Sequence, residues 1–354
     1  MRVVVAMSGG VDSTVAAARL AEAGHEVIGL SMQLYDQQEG HVRFGSCCTL
    51  DDLHDARRAA ATLGIPHYIV NFERSVDTHV LRDFVTEYVA GRTPIPCVHC
   101  NAELKFSHLL ERARGLQTEA VATGHYARVD RDPATGRHRL RRGVDRAKDQ
   151  SYFLFSLEQQ QLAHTLFPVG DLDKRRVRAY ARDRGLSVAD KPDSQELCFV
   201  ARGDHAAFVE RHAETAPAPG PIRDTAGRTV GRHDGIHRFT VGQRKGLGLS
   251  GGRRLYVAAI DAPSGTITVG TRQELERTEL TASRVNWIAG PPPPSPVRAT
   301  AQIRYRHIEA PVEITPLDAD RVRVQFDAPQ VAVTPGQAVV FYDGDAVLGG
   351  GWID

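Results

Sequence analysis

The segment Ser8-Gly9-Gly10-Val11-Asp12-Ser13 has the residue types of a phosphate-binding loop. It lies between a β-branched run and a stretch with apolar residues at helical spacing. Backbone N–H groups at a helix N-terminus attract an anion, and glycines let the chain approach phosphate oxygens without a Cβ clash. Ser8 and Ser13 can add hydroxyl donors. A glycine pair alone is also typical of an ordinary turn, but in this strand–loop–helix context it predicts a nucleotide site.

The cysteines form the second group that could do chemistry. An odd, low number of them argues against a secreted disulfide scaffold. They are Cys47, Cys48, Cys97, Cys100 and Cys198. Cys97 and Cys100 lie in a proline-stiffened loop before a helix predicted to begin near Ala102, where the helix N-terminus favours a thiolate. Cys198 by itself is more typical of a buried, inert residue. Cys47 and Cys48 are adjacent, so they project in different directions, and we assign them no catalytic role.

Alternating strand and helix patterns surround the glycine loop. The sequence predicts strands at residues 2–7, 27–32 and 67–72, a helix at 13–23 and another ending near Gly64. Such alternation implies a parallel sheet covered by helices on both faces. Sheets of this kind place ligands at the carboxyl ends of their strands, which is where the loop lies.

Proline-rich stretches divide the second half of the chain. Residues 211–224 contain too many prolines to continue a helix or a central strand, so we interpret them as a linker, and residues 291–296 form a second break. Short β-branched stretches between Gly and Pro turns predict a small all-β domain, a barrel. We therefore expect an α/β domain over 1–205, a small central β-rich domain over 206–278 and a C-terminal β-barrel over 279–354.

Composition and charge limit the class of protein. Hydrophobic residues make up 42% of the 354 residues and charged residues 25%, which excludes disordered, collagen-like and coiled-coil classes. No apolar run approaches the roughly 18 residues of a membrane span, and no signal-peptide layout is visible, so we expect a cytoplasmic protein without membrane contact. The net charge of +1 hides an acidic C-terminal stretch and several arginine-dense ones. Charge alone favours a solvated surface over a nucleic-acid site.

Several motifs together resemble the tRNA-specific 2-thiouridylase family, and the resemblance covers almost the whole chain. The loop is similar to that of the PP-loop ATP-pyrophosphatase superfamily, whose members cleave ATP between the α and β phosphates and activate a carbonyl oxygen as its adenylate. The motifs are residues 8–13, Cys100-Asn101 with Lys105-Phe106, residues 123–126, 148–153, 194–199 and 240–248.

The resemblance implies a reaction and its participants. Members of the family convert the wobble uridine of certain tRNAs to 2-thiouridine, using ATP, Mg²⁺ and sulfur from a persulfide donor protein such as a cysteine desulfurase or relay protein. A uridine C2 carbonyl is a poor electrophile, so its oxygen must first become a leaving group by transfer of AMP. By the resemblance, Cys198 carries the persulfide, and Cys100 attacks it or its adduct to release sulfur. That step leaves a Cys100–Cys198 disulfide, which a reductant must open.

The resemblance also implies binding residues. The ATP positions are Ala6, Met7, Ser8, Gly9, Gly10, Val11, Asp12, Ser13, Met32 and Gly124. The tRNA-facing positions are Ile95, Pro96, Cys97, His125, Lys148, Asp149, Gln150, Arg304, Tyr305 and Gln337. From the residues alone, His125 could also be a hydrogen-bonded histidine at a strand end, and Arg304-Tyr305 a solvated pair on a strand.

Cys97 departs from the family pattern, because many members have an acidic residue there. The departure puts the role of that carboxylate beside the target base in doubt. It also creates a C-x-x-C pair, and Cys97, Cys100 and Cys198 could ligate a four-iron, four-sulfur cluster whose open iron accepts sulfide. Alternatively, the pair binds zinc or forms a redox pair. One C-x-x-C with a distant third cysteine is weak evidence for a metal, so we favour the persulfide route.

Two other functions stay open at the level of sequence. Another AMP-forming PP-loop ligase, such as a GMP synthetase, would need ATP and a nitrogen source but no cysteine pair. A non-enzymatic iron–sulfur or tRNA-binding sensor would bind tRNA without ATP-dependent turnover.

Overall fold

The computed structural model describes residues 1–34, 50–193, 197–200, 204–215, 218–249 and 253–354. Cys47, Cys48, residues 194–196 of the Cys198 motif and residues 216–217 of the expected linker lie outside the described residues. The chain forms two compact units. The first comprises residues 1–80, 97–203 and 344–348, and the second comprises residues 81–96, 204–343 and 349–354.

From β1 to β3, strands and helices alternate as the sequence predicts. The α-helices are α1 (Val11–Glu22), α2 (Leu50–Leu63), α3 (Glu73–Val76), α4 (Arg82–Val89), α5 (Pro96–His99), α6 (Leu109–Gly115), α7 (Gln159–Ala163), α8 (Lys174–Asp183) and α9 (His205–His212). Two segments, Asp77–Leu81 and Cys100–His108, are π-helical. The strands are β1 (Arg2–Ala6), β2 (Glu26–Gln33), β3 (His67–Asn71), β4 (Ala120–Ala122), β5 (Ala127–Arg131), β6 (His138–Arg142), β7 (Thr165–Leu166), β8 (Gly220–Asp224), β9 (Thr229–His233), β10 (Tyr256–Asp261), β11 (Thr266–Gly270), β12 (Glu276–Trp287), β13 (Val297–Gln302), β14 (Ala310–Pro316), β15 (Val322–Val331), β16 (Ala338–Asp343) and β17 (Ala346–Ile353).

A parallel sheet with the order β3-β2-β1-β4-β7 organises the first unit. Val3, Val4 and Val5 of β1 are completely buried, as the near-continuous apolar run of a central parallel strand requires. Helix α1 ends at Glu22, and Gly24 follows with φ of +81°, the left-handed conformation that commonly stops a helix. The predicted parallel α/β domain is therefore confirmed.

The second unit is mainly β-structure. Strands β10, β11, β8 and β9 form a four-stranded sheet in that order. Strands β12, β15, β14, β13, β16 and β17 follow one another in a second sheet, and β12 pairs with β17 to close it. The side chains of Val312, Ile314, Val324 and Phe341 are completely buried, which places a packed core inside this closed sheet. The predicted C-terminal barrel is therefore confirmed.

Two local predictions are wrong. Part of the expected linker, residues 211–224, forms strand β8, which pairs with both β9 and β11. Pro221 is tolerated because its pairing with β11 begins only at Ile222, so the missing N–H lies at the strand end. The helix expected near Ala102 begins at Pro96, a residue type that suits the first helical turn, so Cys97 and Cys100 lie in helical backbone rather than in a loop.

No helix among the described residues combines the length and the apolar character that crossing a bilayer demands.

Candidate active site

The glycine loop lies at the carboxyl end of β1. Met7 donates its N–H to the carbonyl oxygen of Leu30 at 2.8 Å and so holds the loop entrance against β2. Gly9 has φ of +73°, and a Cβ there would lie 2.1 Å from the carbonyl oxygen of Asp52. Only glycine fits this position. Gly10 then precedes α1 in an extended conformation, so the helix N-terminus opens at the sheet edge, as the sequence predicts.

The two loop serines have different surroundings. Ser13 is 4% exposed, and its Oγ accepts the N–H of Ser8 at 3.2 Å and donates to the carbonyl oxygen of Gly10 at 3.2 Å. Ser13 therefore holds the loop in shape. Ser8 is exposed, and its Oγ lies 3.3 Å from the Ser13 hydroxyl, so this is the hydroxyl that a ligand can reach.

Neighbouring strands bring two more of the expected nucleotide residues to the loop. Gly124, just after β4, packs so closely that a Cβ would lie 2.6 Å from the backbone nitrogen of Ser13. On the other side, the Ser31 hydroxyl donates to the carbonyl oxygen of Met7 at 2.7 Å, which places the next residue, Met32, at the same sheet edge. The loop, Gly124 and the end of β2 therefore surround one position.

Lys174, which the sequence analysis did not single out, contacts the loop directly. Its Nζ lies 2.8 and 2.7 Å from the two carboxylate oxygens of Asp12, and the Tyr126 hydroxyl donates to the first of them at 2.7 Å. Burial and the Asp12 carboxylate raise the pKa of Tyr126 far above its usual range, so the phenol stays protonated. The side chain of Lys174 is 12% exposed. A cation is thus held against the loop in a partly buried setting.

Asp193 gathers cations on the other side of Lys174. Its carboxylate lies 2.8 Å from Lys174, 2.7 Å from Lys148 and 3.1 Å from Arg178. Burial by itself would raise the pKa of Asp193, but hydrogen bonds from Lys148 and Lys174 outweigh it and lower the pKa to about 2. Lys174 therefore connects Asp12 of the loop to Asp193, five residues before Cys198.

Lys191 completes the basic surroundings of the loop. Its Nζ donates to the carbonyl oxygen of Gly9 at 3.1 Å and contacts Asp52 and Asp55 at 2.6 Å each. Lysine is rare here, because five of the 44 basic residues are lysine. The rarity of lysine in an arginine-rich chain was therefore the feature of the sequence that could have drawn attention to Lys148, Lys174 and Lys191.

Cys97, Cys100 and Cys198 differ in exposure. Cys97 is exposed, whereas Cys100 and Cys198 are half-buried. Asn101, the residue after Cys100, holds this turn of the helix in place. Its amide donates to the carbonyl oxygen of Phe153 at 3.0 Å and accepts from Lys105 at 3.0 Å. Of the other residues expected beside the target base, Ile95 and Pro96 are buried.

The C-x-x-C pair also raised the alternative of a metal site. Across the described part of the chain, no group of three or more His, Cys, Asp or Glu side chains could hold a metal ion.

His125 lies between the loop and the Cys100 helix. Its Nδ1 is 2.7 Å from the Thr123 hydroxyl, and its ring lies 6.2 Å from that of Phe106, centroid to centroid. Burial, and then the charge of Lys105, hold the pKa of His125 well below its usual range, so the ring is neutral at physiological pH. Because Gly124 touches the loop and Phe106 lies on the Cys100 helix, His125 connects the two features.

The Lys148-Asp149-Gln150 run divides into buried and accessible members. Asp149 is 8% exposed, and its carboxylate accepts from the N–H of Gly143 at 2.9 Å and from the Ser151 hydroxyl at 2.9 Å. Asp149 is thus a structural residue of the turn. Lys148 and Gln150 are half-buried, and Gln150 accepts the N–H of Tyr126 at 3.1 Å.

In the second unit, Arg304 and Gln337 line one cavity of about 380 Å³. Gln337 donates to the carbonyl oxygen of Thr93 at 2.9 Å, and Arg304 donates to that of Val331 at 3.1 Å. Arg304 is exposed and Tyr305 is half-buried. The structure thus brings Arg304 and Gln337, which are 33 residues apart in the chain, to one accessible opening.

Family comparisons cover nearly all of the chain. Residues 1–202 match the tRNA methyl transferase HUP domain, residues 206–271 the tRNA methyl transferase PRC-barrel domain and residues 277–353 the aminomethyltransferase beta-barrel domain. Among solved structures, a 4-thiouridine synthetase–RNA complex with bound ATP is 13% identical, with a TM-score of 0.35, over 59% of this chain and 50% of that chain.

Full-length relatives are much more similar. The chain is 54% identical over 358 residues to the tRNA-specific 2-thiouridylase MnmA of Geotalea uraniireducens, covering 100% of this chain and 95% of that protein. It is 53% identical over 367 residues to the enzyme of the same name from Solibacter usitatus, covering 99% of each. The resemblance inferred from the motifs is confirmed, and the chain belongs to the tRNA-specific 2-thiouridylase family.

Proposed function

We propose that this chain is an ATP-dependent tRNA sulfurtransferase that converts a wobble uridine to 2-thiouridine. The observation that carries the proposal is the bridge that Lys174 makes between Asp12 and Asp193. Five residues of extended chain span at most about 18 Å, so Cys198 lies within that distance of Asp193. The bridge in turn ties Asp193 to Asp12 of the loop. A sulfur-bearing residue and a nucleotide site thereby belong to one site.

ATP binding is assigned to the loop and its neighbours. Ala6, Met7 and Val11 shape the strand end and the start of α1, and we assign Ser8, Gly9 and Gly10 to the phosphates. Gly124 and Met32 border the adenosine. Mg²⁺ suits the donors present, since nucleotide-bound Mg²⁺ usually takes one or two carboxylates plus phosphate oxygens. Asp12 would hold it, and the ion would neutralise phosphate charge.

The reaction has two stages. The uridine O2 attacks the α-phosphorus of ATP, pyrophosphate leaves, and an adenylated base results. Cys198 then brings the outer sulfur of its persulfide to C2, AMP leaves with O2, and Cys100 attacks the inner sulfur of Cys198. The products are 2-thiouridine and a Cys100–Cys198 disulfide. No step is assigned to an iron–sulfur cluster.

Phosphate contacts should position the tRNA, and pocket residues should select the base. Lys148, Gln150 and His125 border the reacting centre in the first unit, and Cys97 with Ile95 and Pro96 is assigned to the target base. Arg304, Tyr305 and Gln337 are assigned to the tRNA because two of them line an accessible cavity. Asp149 is assigned to the tRNA site only through the turn that it stabilises.

The partners and domains follow from the same proposal. The partners are tRNA and a protein that carries a persulfide, such as a cysteine desulfurase or a relay protein. We assign residues 1–205 to ATP binding and catalysis, 206–278 to a central domain and 279–354 to tRNA contact.

The test is direct formation of the product. The anaerobically purified protein is incubated with ATP, Mg²⁺, unmodified tRNA and a persulfide source, and the digested tRNA is analysed for 2-thiouridine. We expect product from the wild type and none from Cys100→Ser or Cys198→Ser. An ATP analogue that cannot be cleaved between the α and β phosphates is the matched control. Full turnover by either serine variant would contradict the proposal.

A further inference from the structure

Cys97 and Cys100 lie one helical turn apart. The backbone is helical from Pro96 to His108, and His99 between the two cysteines has φ of −61° and ψ of −44°. Residues three apart on a helix have Cα atoms about 5 Å apart. That distance lies within the range of roughly 4.4–6.8 Å over which a disulfide joins two cysteines. A bond between Cys97 and Cys100 therefore needs little backbone movement.

The two thiols face different surroundings. Cys97 is exposed, Cys100 is half-buried, and Val98 between them is 1% exposed. The Asn101 contacts with Phe153 and Lys105 hold the Cys100 turn in place. Cys97 is therefore the sulfur of the pair that a second protein or small dithiol can reach, while Cys100 keeps its position at the reacting centre.

We propose that Cys97 is the resolving thiol of the catalytic cycle. This inference rests on the proposed function, which ends each turnover with a Cys100–Cys198 disulfide. The Cys97 thiolate attacks the sulfur of Cys100, the Cys100–Cys198 bond breaks, and Cys198 leaves as a thiolate that takes up a proton. The exchange joins Cys97 to Cys100 without net oxidation, because one disulfide replaces another. An external dithiol then reduces the Cys97–Cys100 disulfide and supplies the two electrons.

The exchange separates the reloading of Cys198 with sulfur from the reduction of the disulfide. After it, Cys198 is a thiol again and can accept the next persulfide sulfur. The oxidised pair is meanwhile presented at the surface, where its outer sulfur is exposed. Reduction therefore does not require a reductant to enter the nucleotide site.

Disulfide mapping after one turnover tests the inference. Persulfidated wild type and Cys97→Ser react anaerobically with ATP and unmodified tRNA, without reductant, and are then quenched in acid, alkylated and digested with trypsin. Cys97 and Cys100 share the tryptic peptide 93–105, so their disulfide is seen as the loss of two hydrogens within one peptide. We expect that form in the wild type, and a peptide pair joined by Cys100–Cys198 in Cys97→Ser.

A ratio of two rates provides a measurement that altered tRNA binding does not affect. With a limiting dithiol, the ratio of the steady-state rate to the first-turnover rate should fall about tenfold in Cys97→Ser, because its disulfide is less accessible. Excess dithiol should restore the ratio by opening Cys100–Cys198 directly. A wild type that forms product and retains a Cys100–Cys198 disulfide overturns this inference alone. A wild type that forms no 2-thiouridine overturns the proposed function, and this inference with it.

Discussion

Lys174 donates to both carboxylate oxygens of Asp12, although the two residues are 162 positions apart in the chain. The contact joins the start of α8 to the start of α1. Because Asp12 belongs to the loop that we assign to the ATP phosphates, the ammonium group lies where we expect negative charge on a nucleotide to accumulate. Lys174 is therefore a structural partner of the loop, and we expect it also to contact nucleotide phosphates.

Replacing Lys174 with glutamine should weaken both roles. A hydrogen bond to a charged group contributes about 1.5–3 kcal/mol, so the free energy of unfolding should fall by about that amount without nucleotide. The dissociation constant for ATP should rise about tenfold or more, since a phosphate loses a cation. Urea unfolding and calorimetric titration with ATP measure the two effects.

Lys245→Gln is the matched control, because Lys245 is exposed and lies in the second unit. Its unfolding free energy should change by less than about 0.5 kcal/mol. Equal ATP affinity in Lys174→Gln and Lys245→Gln would argue against a phosphate role for Lys174.

Asp193 should make stability depend on pH in the acid range. Its pKa of about 2 lies below the value of about 4 for an unfolded aspartate, so its ion pairs contribute their full stability above about pH 4. That contribution, about 2 kcal/mol, is lost as the pH falls from about 4 toward 2. Asp193→Asn should therefore be less stable than the wild type at pH 6, and the difference should shrink as the pH falls to 3.

Urea unfolding of both proteins at several pH values measures that difference. Asp183→Asn is the control, because Asp183 is exposed on the same helix that carries Lys174. Its difference from the wild type should stay small throughout. A difference between Asp193→Asn and the wild type that is the same at pH 6 and pH 3 would refute this account of Asp193.

The sequence was sufficient for the parallel sheet and the loop, because both depend on local patterns. Val3, Val4 and Val5 form an apolar run, and Gly9 and Gly10 follow within one turn. Strand β12 has no such pattern, because four exposed residues, Glu276 to Glu279, open it. It was not predicted, since its pairing with β15 and β17 comes from distant parts of the chain.

The candidate site likewise has parts that local motifs predict and parts that depend on contacts between distant residues. The family motifs identified the cysteines and the loop, but the partners of Asp12 could not be read from them. Lys174 and Asp193 meet only after folding, through contacts with no sequence period. The helical placement of Cys97 was also missed, because Pro94 and Pro96 indicate a loop unless Pro96 is taken as the first residue of a helix.

Gly9 should be far less tolerant of alanine than Gly24. Both have positive φ, +73° and +81°, so both substitutions carry a conformational cost of about 1 kcal/mol. At Gly24 the new methyl group meets nothing within 4 Å, whereas at Gly9 it would lie 2.1 Å from the backbone oxygen of Asp52. Gly9→Ala should therefore displace the loop and weaken ATP binding at least about tenfold, while Gly24→Ala keeps its affinity. Calorimetric titration with ATP distinguishes them, and unchanged affinity in Gly9→Ala would exclude the loop as the phosphate site.

Lys148 and Asp149, though adjacent, should respond differently to substitution. Asp149→Ala removes a buried carboxylate that lies 3.3 Å from Arg142, itself 7% exposed, so unfolding should become easier by about 3 kcal/mol. Lys148→Gln should instead weaken tRNA binding and reduce the slope of log K against log[salt] by about one, as expected when one phosphate contact is lost. Filter binding of unmodified tRNA at several salt concentrations, together with urea unfolding, separates the two effects. If Lys148→Gln leaves the salt slope unchanged, Lys148 does not contact a tRNA phosphate, and its ion pair with Asp193 is its main role.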